Sequence, residues 1–403
     1  MRIAVVGSGI AGLAAARALA PRHDVTLYER AARAGGHAYT VEAQGHAIDM
    51  GFIVCNRARY PQFFAMLGEL GIATRPTTMS FSVAIPEADF EWSTRTLFAD
   101  RGQLLDRRHW RFLGEVLRFL RQARRDLDIA WVAGASLDEY LDARRTSPEL
   151  RARFAIPLAA ALWSLAPARC GAFPARTYLR FLDQHGMLRL VRPLPWETVV
   201  GGSRRYVDAL LARTRLELRT SCAVETVARD ATGVTIVADG VERRFDRVVI
   251  ATHADTALAL LAAPTEAETR ALGAFRYSDN TTVLHTDRAF LPRRPRLHAA
   301  WNYVSPRALD QVAVTYSMTK LQGLPGGDAA PYLVTLNPHA MPRDVLHTVG
   351  FRHPQFDRAA LAAQATLPRL ASPHTAFAGA YFGFGFHEDG MASGIAAAAR
   401  VSA

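Results

Sequence analysis

Lysine is almost missing from this chain. Lys320 stands alone among 48 lysines and arginines in 403 residues, so the formal net charge of +11 is arginine charge. Arginine replacing lysine, beside abundant alanine, is a compositional bias that accounts for much of the basicity. The arginines are not interleaved with stacking aromatics and no nucleic-acid module accompanies them, so a nucleic-acid partner is not expected. Cysteine is sparse as well. Cys55, Cys170 and Cys222 lie far apart with no CxxC pair, which excludes a disulfide framework and leaves no metal site to expect. No stretch supplies the roughly 20 apolar residues that cross a bilayer. The best of them, residues 154–166, is short and contains Pro157 and Ser164. The opening imitates a signal peptide, with Arg2 and an Ala/Leu run before Pro21, but glycines interrupt the run and a strand pattern follows. The expected location is the cytoplasm, with peripheral contact at the inner face of the membrane if the basic segment described below meets lipid.

What is present is concentrated at the start. Half of the residues are hydrophobic, enough for a large core and two domains. Arg2–Val6 reads as a buried strand, and Gly7, Ser8, Gly9, Ile10, Ala11 and Gly12 follow at once, opening an Ala/Leu helix. A second strand, residues 25–28, ends in Glu29 and Arg30. Gly7 permits a tight turn, Gly9 lets backbone N–H groups approach a pyrophosphate, and Gly12 lets helix pack on strand. The Glu29 carboxylate can accept both hydroxyls of an adenosine ribose, and it would repel the 2′-phosphate of NADP. Glycines alone mark ordinary turns; in this strand–loop–helix–strand–acid order they predict a dinucleotide site.

Four further segments suit a flavin dinucleotide. Gly35, Gly36 and His37 come shortly after the acid, and small residues there allow backbone to approach the flavin side. Asp49 and Gly51 end a short hairpin where a strand could meet the isoalloxazine. Val224, in a segment following a strand, offers backbone groups to adenine, and residues 247–252 form a buried strand ending at Thr252. The fold class expected is α/β: a discontinuous Rossmann-like FAD-binding domain with a parallel sheet, built from 1–75, 195–265 and 365–403. An α+β substrate domain, 76–194 and 266–364, is inserted into it. Within the insert, Arg107–Arg125 reads as an amphipathic helix. Phe112, Leu113, Val116, Leu117 and Leu120 fall on one side, and Arg107, Arg111, Arg118 and Arg125 on the other. A surface helix with a core face is the plain reading; a helix resting on anionic lipid, with Trp110 at the interface, is the sharper one.

Taken in order, these parts resemble the flavin-dependent amine oxidase superfamily, which includes monoamine oxidases, phytoene desaturases and protoporphyrinogen oxidase. The C-terminal segment FAGAYFGFGFHEDGMASGIAAAA carries much of the likeness. By that resemblance Gly379, Glu388, Asp389, Gly390 and Met391 contact the cofactor, with the Met391 N–H facing the flavin N1/C2=O edge. Phe386 matches an aromatic that walls the substrate side. The acid that usually follows F-A-G is replaced by Ala380 and Tyr381, and no cysteine lies in the segment, so a non-covalent FAD is implied. The stretches DMGFIVCN (49–56), WETVVGGSRRY (196–206) and GAYFGFGFHEDG (379–390), with others between, resemble most closely bacterial NAD/FAD-binding proteins associated with cyclopropane-fatty-acid-synthase-like methyltransferases. That branch implies an unsaturated or methyl-branched fatty acyl chain as substrate, dehydrogenated by hydride transfer to flavin N5. Candidate catalytic residues are His387 beside the flavin loop, His185 in the insert, Phe386 and Tyr381. Three alternatives stand beside this: an amine oxidase on a small amine, a flavin-dependent double-bond isomerase, and a non-catalytic flavoprotein partner of a lipid methyltransferase.

Overall fold

In the computed structural model, residues 1–189, 194–305 and 313–403 are described. Five short strands form a parallel sheet in the order Thr375–Phe377, Arg247–Ile250, Arg2–Val6, Asp24–Tyr28 and Glu217–Arg219. The central strands are apolar on both faces, as a sheet covered on both sides requires. On one side lie the helices Ile10–Leu19 and His387–Ser402, packed so closely that a Cβ on Gly394 would fall 2.1 Å from the Ala11 carbonyl oxygen. The N-terminal and C-terminal helices are thus locked together at the carboxyl ends of the strands, the edge where open α/β sheets bind ligands.

A three-stranded antiparallel sheet, Val224–Asp230, Gly233–Ala238 and Val241–Phe245, flanks this layer. Val224 opens a strand here and does not merely follow one. A seven-stranded mixed sheet supplies the β part of the expected α+β insert. Its order is Val345–Gln355, Arg276–His285, Leu333–Leu336, Val314–Ser317, Trp301–Val304, Phe81–Ile85 and Phe90–Ser93. Phe90–Ser93 forms the edge strand, with Phe90 and Trp92 packed against Phe112 of the long helix. Helical structure then runs from Arg101 to Gln184.

The helix Arg107–Arg125 forms as expected, with one correction. Leu117 is 41% exposed. The buried stripe centres on Val116, and Leu117 lies about 100° round the helix from it; Phe119 and Ala123 fill the inner face instead. Asp126 ends the helix and fixes it to the insert. Its buried carboxylate accepts both Nε and Nη2 of Arg144 at 2.8 Å, and the Tyr140 hydroxyl at 2.8 Å. Asp126→Ala would strand that guanidinium and phenol, so we expect a loss of about 3–5 kcal/mol, read from the denaturant midpoint. Unchanged stability would remove Asp126 as the anchor.

Candidate functional site

The turn after Arg2–Val6 is built by steric necessity. Gly7 sits at φ +97° and donates its N–H to the Tyr28 carbonyl. A Cβ on Gly12 would stand 1.8 Å from the Gly7 oxygen, so the helix can approach the turn only with glycine there. Gly9 differs: a Cβ built on it meets nothing within 4 Å. It is also the N-cap of Ile10–Leu19, and no side chain caps that end. The first-turn N–H groups of Ile10, Ala11 and Gly12 therefore face open space with the positive end of the helix dipole behind them.

Glu29 follows the second strand and closes on the glycine turn. One Glu29 oxygen accepts the Ser8 N–H (3.1 Å) and Ser8 hydroxyl (2.5 Å), and the other accepts the Ala31 N–H. Arg30 is exposed beside it. Gly35 N–H donates to the Ser8 carbonyl, and Gly36, at φ +56°, brings the second glycine pair against Gly9. Backbone bonds from Ser221 to Ala31 and from Cys222 to Glu29 draw the chain leading to Val224 alongside the acid. Thr252 touches the Gly7 position from the other side.

Asp49 is buried, and its oxygens are committed to the protein: the Thr40 hydroxyl, the Ser203 N–H and hydroxyl, and Gln322. Burial raises its pKa to about 6 despite those bonds. It ties the hairpin to the turn before the helix Arg204–Arg213, while Gly51 lies against the His37 backbone. Glu388 and Asp389 are likewise engaged. Glu388 accepts the Gln62 and Phe63 N–H groups and so caps the helix Pro61–Leu70. Asp389 accepts those of Phe384 and Phe386 and shapes the aromatic loop. Gly379 donates to the Ser393 hydroxyl, Gly390 presses on Ile10, and Met391 is buried.

The four proposed catalytic residues separate into different settings. His185 and Phe386 meet, with ring centroids 5.5 Å apart, in a cluster that also holds Phe181, Trp163 and Trp196. His185 Nδ1 lies 3.0 Å from the Phe181 carbonyl, and burial lowers the ring's pKa to about 4. A carbonyl only accepts, so Nδ1 carries the proton and Nε2 the lone pair. His387 is stacked on Phe52 at 3.8 Å, edged by Phe63 and bonded through Nε2 to the Tyr206 hydroxyl at 2.7 Å. Its pKa is pushed down to about 3 by burial. Tyr381 packs on Phe275 and Phe382, its buried hydroxyl without a partner.

Three further histidines form a group of their own. His37, His253 and His353 come together with ring centroids 5.5–6.4 Å apart, between Phe351 and Tyr277. Asn56 is fully buried with neither amide atom bonded. Asn56 closes the stretch 49–56, but no spacing rule links His37 to a strand more than 300 residues away. The buried His37 Nε2 and the Asn56 amide lack protein partners. Together with the open Gly9 and the uncapped helix end, they fit a large polar cofactor such as FAD. Lys320 is elsewhere engaged, 2.6 Å from Asp328. Among the described residues no cluster suits a metal ion, and no helix is long and apolar enough to cross a membrane.

Comparison with known proteins gives the family and the fold. Residues 10–402 match the family described as flavin containing amine oxidoreductase. A Mycobacterium tuberculosis protein named as a flavin-containing monoamine oxidase, AofH, is 28% identical over 270 residues, covering 62% of this chain. The chain spans only 56% of that relative's length. Among solved structures, cyclohexylamine oxidase from Brevibacterium oxydans superposes with a TM-score of 0.72 at 15% identity, covering 100% of this chain and 98% of the other. A CLA-producing fatty acid isomerase from P. acnes gives 0.70 at 16% identity, with 98% and 97% covered. The fold is therefore an FAD-binding α/β domain with a substrate domain. The chain belongs to the flavin containing amine oxidoreductase family.

Proposed function

We propose that this protein is an FAD-dependent oxidoreductase that dehydrogenates an unsaturated or methyl-branched fatty acyl chain, with FAD held non-covalently. One observation carries the reading: the wall around Phe386 is a continuous ring cluster of Phe181, Trp163 and Trp196 in which His185, kept neutral by burial, brings a basic nitrogen against the Phe386 ring. An apolar chain gains from burial against such rings along its whole length. FAD, when bound, supplies the acceptor for a hydride from an allylic C–H. His185 Nε2 takes the accompanying proton, since its lone pair is left free by the Nδ1–H bond to Phe181. Phe181 and Phe386 hold the chain in place and exclude water. The substrate loses two electrons and two protons and gains one double bond; an external acceptor must then reoxidise the cofactor.

The test is anaerobic absorption of the purified holoprotein, before and after adding phospholipid rich in unsaturated and methyl-branched chains. Loss of the visible flavin band, with a new double bond in the lipid, is the expected result. An amine oxidase is the second reading, favoured by the likeness to AofH; amines would then bleach the band and lipids would not. For the base, His185→Gln should lower turnover by roughly 10²–10⁴-fold with flavin content unchanged. Wild-type turnover in that variant would return the proton to solvent or another group.

A further inference from the structure

The outer face of Arg107–Arg125 is unlike an ordinary solvated surface. At 100° per residue, Arg107, Arg111, Arg118, Arg121 and Arg125 fall within an arc of about 80°. All five are exposed, and none forms an ion pair among the described residues. The nearby acids are occupied. Asp106 caps the helix, Glu115 bonds the Ser147 hydroxyl and Asp126 holds Arg144. Glu115 and Glu149 face the row only at its Arg108–Arg111 end, so among the described residues no ion pair neutralises this row of charge about 27 Å long.

Apolar groups are exposed at the same place. Trp110 and Leu117 border the arginine arc, Trp110 being 52% exposed. At the helix's N-terminal end the short helix Arg101–Leu105 presents Leu104 and Leu105, the latter 82% exposed, and Leu97 stands out beside them. The Trp110 ring is fixed there by its Nε1–H bond to the Leu104 carbonyl and by contact with Phe98. Water solvates arginines well but not a tip of three leucines and a tryptophan. A flat cationic row ending in an exposed apolar tip matches the interface of an anionic bilayer, headgroups over the row and acyl chains at the tip.

We propose that this face docks the protein on an anionic phospholipid surface, with the Leu104–Leu105–Trp110 tip inserted. The inference goes beyond the acyl-chain reading and survives its failure. A protein that binds vesicles but leaves every acyl chain intact would keep the docking face and lose the dehydrogenase.

Flotation of the holoprotein with phosphatidylglycerol/phosphatidylcholine vesicles, against phosphatidylcholine alone, tests it. Binding should require phosphatidylglycerol and weaken as salt rises. Arg111→Gln/Arg118→Gln/Arg121→Gln should cost about 100-fold in vesicle affinity, with FAD content and thermal midpoint unchanged. Leu105→Ser/Trp110→Ser should weaken binding even at low salt, which charge attraction alone would not produce. Equal binding to both vesicle types, or triple-variant binding equal to wild type, overturns the proposal. No vesicle binding at all also overturns it, and leaves the face to a protein partner such as a methyltransferase.

Discussion

Gly9→Val should yield a folded, colourless protein. The position has ordinary extended dihedrals, φ −64° and ψ 177°, which any residue adopts. A Cβ there meets no protein atom within 4 Å. The polypeptide therefore has no reason to resist the side chain, and apoprotein stability should stay near wild type. The open space is the approach to the first-turn N–H groups of Ile10–Leu19, so a valine would stand between them and a pyrophosphate. Two hydrogen bonds to a charged group are worth about 1.5–3 kcal/mol each, and losing them weakens FAD by 100-fold or more. Gly12→Val is the contrasting variant. Its Cβ would sit 1.8 Å from the Gly7 oxygen, so it should damage the fold itself and lower the thermal midpoint. Flavin absorbance per protein and the circular dichroism melt separate the two cases. Stoichiometric flavin in folded Gly9→Val would refute the placement of the pyrophosphate.

These two glycines also show why part of the molecule was legible. A turn, a helix start and a strand within 30 residues obey local steric rules, so Gly7 through Glu29 could be read from spacing. The strand order of the seven-stranded sheet was not legible. It takes Phe81–Ile85 into parallel pairing with Trp301–Val304, and nothing local encodes a partner 220 residues distant. The site followed the same division. The glycines and Glu29 came from motif; Glu388 and Asp389 were found by resemblance, but their carboxylates turn out to cap a helix and tie a loop. Asp49 shows the reason. An acid in a motif is visible in sequence, but whether its oxygens face a ligand depends on Ser203 and Gln322, which only the folded chain supplies.

Acidification should unfold this protein early. Burial lowers the pKa of His37, His185, His253 and His285 to about 4, and that of His353 and His387 to about 3. The unfolded chain takes up a proton at each near pH 6.5, while the fold does not until pH 4 or below. Their contribution is thus complete above pH 6.5 and is lost progressively as the pH falls toward 4. Asp49 and Asp389 act in the opposite sense. Burial raises each to about 6, so the fold binds their protons before the unfolded chain does, and acidification favours it. Six histidines outweigh two carboxylates, and the net effect near pH 5 is several kcal/mol per pH unit. For a chain of this size the thermal midpoint should fall by roughly 5 °C per pH unit below pH 6. His285 supplies a local check. Its Nδ1 accepts the Asp287 N–H at 3.0 Å, and its Nε2 meets the Thr335 hydroxyl at 2.7 Å. A proton on Nδ1 would set two N–H groups against each other, so this ring cannot charge without breaking the strand end. His285→Gln should therefore flatten the midpoint-versus-pH curve by about one proton's worth, at some cost in stability near pH 7. A midpoint that is level from pH 7 to pH 5 would mean that these histidines are free to take up protons in the folded protein.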